Sequence, residues 1–140
     1  MADVEVTFPG GKRVDAKVGE FVVRTDQPVD AGGAGSAVAP FDLFLASIAA
    51  CAGIYVLGFC QARGLPTDRI SLRQHVDLDV ATKLPTRVHL ELALPATFPE
   101  KYRAAVVRAA EGCKVKKTIA AAPIIEVTIA RADAALAQAS

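Results

Sequence analysis

Twenty consecutive residues, Leu43 to Ala62, carry no charge, and Asp42 and Arg63 bracket them. A run of that length makes either a membrane-spanning helix or the central helix of a globular domain. Three features favour the globular reading. Ala and Gly residues, with Ser47, Cys51 and Cys60, dilute its hydrophobicity. No Trp or Lys/Arg belt marks both ends, as it would at two membrane surfaces. Segments that alternate like the strands of a soluble sheet lie on either side. The run therefore predicts a helix buried in protein, in a chain that engages no membrane.

The 140 residues suffice for one domain, 1–140, with a core of its own. Hydrophobic residues make up 52%, but aromatics only 6%, so Ala, Val, Leu and Ile must build that core. The 16 Lys and Arg nearly balance the 15 Asp and Glu. That excludes the basic footprint of a nucleic-acid binder. Met1-Ala2-Asp3-Val4 lacks the basic-then-apolar pattern of a leader. A cytoplasmic location with reduced thiols is expected. The three cysteines do not have the spacing of a zinc site.

Val4, Val6 and Phe8 alternate with polar neighbours, Gly10-Gly11 supplies a turn, and Arg13 to Val18 returns as a second strand. Glu20 to Arg24 reads as a third. Residues 25–39, with Pro28, Gly32, Gly33 and Gly35, read as a mobile loop. Pro40 suits the first turn of the central helix, Asp42 complements its positive end, and Gly64-Leu65-Pro66 stops it. Ile70 to Val80 and Val88 to Leu94 alternate as a hairpin with one wet face, on which His75 and His89 read as surface residues and not as ligands. A second helix begins at Pro99-Glu100 and runs to about Glu111, with a short continuation over Lys114 to Ala120. Pro123 to Ala130 reads as a final strand and Ala132 to Ser140 as a small tail. The order β-β-β-α-β-β-α-β is an α+β fold.

A free cysteine is most often a small buried hydrophobe. Cys51 and Cys60 lie nine residues apart on one helix, about 13 Å away from each other and on opposite sides. They cannot bond each other, and Cys60 reads as packing. Cys51 shares a face with Ser47 and Tyr55, at i−4 and i+4. Their hydroxyls either serve a thiolate or substrate oxygen, or bond back to their own helix. A reactive Cys51 would need a nearby cation, because the thiolate is the nucleophile. Cys113 ends the second helix and precedes Lys114, Lys116 and Lys117. That cluster is either a solvated face or a device that lowers a thiol pKa or draws in a carboxylate.

Pro40-Phe41-Asp42-Leu43-Phe44-Leu45-Ala46-Ser47-Ile48-Ala49-Ala50-Cys51 resembles the helix signature of the OsmC/Ohr family, P-x-E-L-x-L-A-A-x-x-x-C. Gly112-Cys113-Lys114-Val115 is similar to that family's second-cysteine segment, C-[PS]-V-S. The resemblance covers nearly the whole chain and points to a divergent branch. It implies an intertwined homodimer with buried central helices and a site at the interface. It further implies that Cys51 attacks an organic hydroperoxide and becomes a sulfenic acid. Cys113 then resolves it as a disulfide, and a dithiol reduces that, with no metal or cofactor.

Two departures stand out. The stretch about twenty residues before Cys51 holds no Arg, where the family's peroxidases place one, and Arg24 is the nearest candidate. Asp42 occupies the acidic position with a shorter arm, and on an ideal helix points about 180° from Cys51. The competing expectation is a non-catalytic scaffold that binds an acyl or other small apolar ligand.

Overall fold

The computed structural model describes residues 3–131. Strands β1 (Val4–Gly10), β2 (Arg13–Val18) and β3 (Phe21–Val23) form one antiparallel sheet in that order. Glu5 pairs with Lys17 and Val6 with Ala16 across β1 and β2. Gly10 and Gly11 turn the hairpin at φ 137° and 58°, values that favour glycine. Pro9 sits on the edge strand beside an irregularity in register, where a missing N–H costs no ladder bond. Strands β4 (Ser71–Leu78) and β5 (Pro85–Ala93) form a second antiparallel sheet. Its wet face pairs Arg73 with Glu91, His75 with His89 and Asp77 with Arg87, and both histidines are exposed.

The uncharged run is helix α1 (Pro40–Gln61). Pro40 opens it and Asp42 lies in its first turn. Its end is a Schellman motif. Gly64 adopts φ 63°, the Leu65 N–H donates to the Cys60 carbonyl at 2.9 Å, and the Gly64 N–H donates to the Gln61 carbonyl at 3.2 Å. Ile48, Ala52, Val56 and Cys60, each four residues on from the last, form its one buried ridge. That ridge meets α2 (Arg103–Glu111), which contributes fully buried Val106, and Phe98 from the loop before it. Helix α3 (Lys114–Ala120) follows and also packs on α1.

The other sides of α1 are open. Phe41, Phe44, Ile54 and Tyr55 are exposed, and 22% of the helix's most apolar stretch is buried. Among the described residues it is the one helix long and apolar enough to cross a membrane.

Two expectations need correction. Residues 25–39 are cross-braced around one carboxylate and not a loose loop. Asp26 is 1% exposed. It accepts from the Gln27 N–H at 2.8 Å, the Ser36 N–H at 3.0 Å and the Ser36 hydroxyl at 2.6 Å. A Cβ at Gly33 would meet the Gln27 carbonyl oxygen at 1.9 Å, so only glycine fits there. Thr25 ties the segment to β2 through hydrogen bonds with Val14 and Asp15, and Asp15 also pairs with Arg13 at 2.7 Å. The second correction concerns residues 123–130. They belong to neither sheet among the described residues, although Ile124, Ile125, Val127 and Ile129 have strand-like composition. Each of the four is more than 80% exposed, because no strand among the described residues lies alongside to complete a ladder. The tail expected from Ala132 falls outside the described residues.

The Ser36 hydroxyl, and then the Ser36 N–H, holds the Asp26 carboxyl below its usual range. A carboxylate with a depressed folded pKa contributes stability above its ordinary value of about 3.9 and loses it as pH falls through the folded one. Asp26→Asn should lower Tm by about 5 °C or more at pH 7 and by less near pH 3, read by calorimetry. On β4, the Gln74 side-chain N–H donates to the Leu45 carbonyl at 3.0 Å, while its buried Oε1 has no partner among the described residues. The bond is worth about 1 kcal/mol net and the orphaned oxygen costs about 1–3 kcal/mol. Gln74→Leu should therefore leave Tm unchanged or raise it.

Candidate functional site

Cys113 stands between α2 and α3 with an extended backbone (φ −63°, ψ 146°) and is 1% exposed. Its sulfur caps α3 by accepting the Lys116 N–H at 3.3 Å. This turn is packed against the middle of α1, where half-buried Cys51 sits. The Val115 backbone N–H is the foremost influence on the Cys51 thiol. The Cys113 thiol, the Lys114 N–H and the Lys114 ammonium add to it, and together they hold the Cys51 thiol below its ordinary pKa while burial opposes them. The fold thus brings Cys51 and Cys113 together. It also supplies the positive potential that the sequence left unassigned, with the Val115 N–H foremost.

A cleft of about 510 Å³ opens beside Cys113, with Cys51 outside its lining. Ile48, Leu72, Leu90, Leu92 and Val107 give it apolar walls, and Cys113 lines it. Glu111 and Lys116 bring opposite charges to it. An apolar molecule with one polar reacting end suits such a space. A thiol of lowered pKa beside a second thiol can act as a nucleophile and then form a disulfide.

The remaining candidates lie elsewhere. The Ser47 hydroxyl donates to the Phe44 carbonyl at 2.6 Å, so it is engaged by its own helix. Tyr55 is exposed beside an open apolar hollow that Ile54, Phe59 and Ala109 share. Asp42 is exposed in the first turn of α1, and exposed Arg24 is not among the groups acting on the Cys51 sulfur. Cys60 lies in the core with Val56, Phe98 and Val106, where burial pushes its thiol pKa up against the pull of Arg63. Among the described residues no three His, Cys, Asp or Glu side chains cluster as a metal site. Sequence reasoning missed the Val115 and Lys114 N–H groups. The signal was the Cys-Lys-Val step itself, in which the residue capping one helix faces a thiol on another.

The profile of the OsmC-like protein family matches residues 33–128, a span that holds both cysteines, α1 and α3. The chain belongs to the OsmC-like family. No curated protein matches it. Its fold is similar to that of solved OsmC-like structures. A Psychrobacter arcticus protein named for osmotic stress induction and detoxification response aligns with TM-score 0.72 at 22% identity, over 84% of this chain and 88% of that one. An OsmC-like protein of Mycoplasma pneumoniae aligns with TM-score 0.69 at 12% identity, over 87% and 89%. An organic hydroperoxide resistance protein OsmC of Legionella pneumophila aligns with TM-score 0.56 at 20% identity, over 85% and 88%. The α+β class and the order of elements through α2 agree with an OsmC-like fold.

Position 114 separates the two sources of positive potential in this OsmC-like site. Lys114→Gln removes only the charge. Lys114→Pro also removes one N–H, and the site tolerates it because Lys114 opens α3 and Cys113 before it is extended. The Cys51 pKa should rise in the order wild type, Lys114→Gln, Lys114→Pro, with slower alkylation at pH 7 in the same order. Thiolate absorbance against pH checks it. Equal values in all three would remove Lys114 from the site.

Proposed function

We propose that the chain is a thiol-dependent reductase of organic hydroperoxides that serves in defence against oxidative stress. The observation that carries this reading is the pairing of Cys51, its thiol pKa lowered, with Cys113, which lines an apolar cleft. Family membership supports it, as does the fold shared with a protein named for organic hydroperoxide resistance.

In the proposed sequence the Cys51 thiolate attacks the distal peroxide oxygen. The O–O bond breaks, the alcohol leaves after taking a proton, and Cys51 becomes a sulfenic acid. The Cys113 thiol attacks that sulfur, water leaves, and a disulfide forms. A dithiol then reduces the disulfide by exchange. Each step conserves electrons without a metal or cofactor. The apolar walls of the cleft favour organic hydroperoxides over hydrogen peroxide.

The working unit we assign is a homodimer of single-domain chains, 1–140, in the cytoplasm. The open sides of α1 and the unpaired 123–130 segment support it, since a second copy would cover both. In that dimer Asp42, Arg24 and Tyr55 are the candidate supporting groups for the site. A second reading, a non-catalytic scaffold for an acyl or other apolar ligand, draws its support from the cleft and from the lack of an Arg among the groups acting on Cys51.

Anaerobic stopped-flow with cumene hydroperoxide, followed by mass analysis, separates the two. The expected result is a Cys51–Cys113 disulfide in the wild type and a loss of about 100-fold or more in rate for Cys51→Ser. Cys113→Ser should stop at the sulfenic acid. If no disulfide forms and Cys51→Ser consumes peroxide as fast as wild type, the catalytic reading falls and the binding reading takes its place.

A further inference from the structure

Helix α3 is held by little. It has seven residues, Lys114 to Ala120, and none of them is buried. A helix that short is marginal without packing or caps. Its first turn depends on one side-chain acceptor, the Cys113 sulfur on the Lys116 N–H at 3.3 Å. Its other side-chain bond, from the Thr118 hydroxyl to the Lys114 carbonyl at 2.8 Å, adds no cap to its start. The same helix supplies Lys116 and Ile119 to the cleft beside Cys113. One sulfur thus holds a helix start and faces a second thiol.

We propose that Cys113 is a redox-controlled latch: when it forms a disulfide with Cys51, it withdraws the cap from α3 and loosens the wall that α3 gives to the cleft. A disulfide draws two sulfurs to about 2.05 Å and fixes the torsion between them. The Cys113 sulfur then leaves the position in which it meets the Lys116 N–H. The first turn loses its side-chain acceptor, and the packing of α3 on α1, with half-buried Val115 and no fully buried residue, is left to hold it. The consequence serves turnover. In the reduced state the cleft is walled and suits a small apolar substrate. In the oxidised state the wall beside the disulfide yields, and a dithiol reaches the bond it must break. The latch rests on the proposed function only for the oxidant used in turnover.

Diamide supplies a separate oxidant. Its N=N bond takes two electrons and two protons from the Cys51 and Cys113 thiols, giving a hydrazine and the disulfide. Hydrogen exchange, read by mass spectrometry over residues 114–120 of the full chain, reports on the latch. Exchange at Lys116 to Thr118 should be about threefold or more faster after diamide treatment than in the reduced protein. Reduced Cys113→Ala, without a cap, should match the oxidised wild type. Cys113→Ser keeps a capping oxygen and should stay protected with or without diamide. Circular dichroism confirms that both variants are folded.

Equal exchange in the oxidised and reduced wild type overturns the latch. So does a Cys113→Ala as protected as wild type, or a failure of diamide to form the disulfide. The two readings part cleanly. A chain that ignores cumene hydroperoxide but loosens α3 with diamide keeps the latch and loses the peroxidase. A chain that reduces the peroxide with α3 unmoved does the reverse.

Discussion

Helix α1 is apolar on every side, and one chain covers only the ridge of Ile48, Ala52, Val56 and Cys60. Everything else in the structure is arranged about that imbalance. Helix α2 and β4 pack against the helix, and α3 closes on it near its middle. Phe41, Phe44 and Ile54 are left facing outward. At about 25 cal/mol per Å² of apolar surface, several large side chains left open amount to kilocalories of unmet driving force. Phe41 and Phe44 stack on each other at the start of α1, 6.0 Å between ring centroids, and exposed apolar surface of this kind marks an interaction site.

The same helix determines what chemistry Cys51 can do. It lies about three turns inside α1, too deep for the dipole of its own helix to reach. The positive potential comes from the chain folded against it. The Val115 N–H leads, the Cys113 thiol follows, and the Lys114 N–H and charge come after. Backbone donors are fixed by the turn and need no long side chain to be ordered, so the potential is present before any ligand arrives.

Much of the fold was legible because its signals are local. The alternation of Leu72, Val76, Leu90 and Leu92 gave the β4–β5 hairpin, and Gly64-Leu65-Pro66 gave the helix stop. Cys60 was legible as packing from its angle to Cys51. The braced loop was not, because Gly33 and Pro28 carry the same local signal in a loose loop as in a tight one. What orders it is Asp26 reaching Ser36 ten residues on, a tertiary contact without periodicity. The environment of Cys51 was hidden for a related reason. A motif search looks for side chains, and its foremost donor is a peptide group of a segment more than sixty residues away. The hydroxyl of Ser47, one of two polar groups on the right face, turned back to Phe44 instead.

The open segment from Ile124 to Ala130 has one charge, Glu126, near its centre. Otherwise its composition is that of a segment prone to stack on copies of itself. In-register stacking of identical arms would set successive Glu126 carboxylates about 4.8 Å from each other, like against like, all along the stack. Pairing with a strand of different sequence carries no such repeat. A single carboxylate therefore acts as a gatekeeper, leaving the arm free to complete a foreign sheet while opposing the fibre that its isoleucines would otherwise favour.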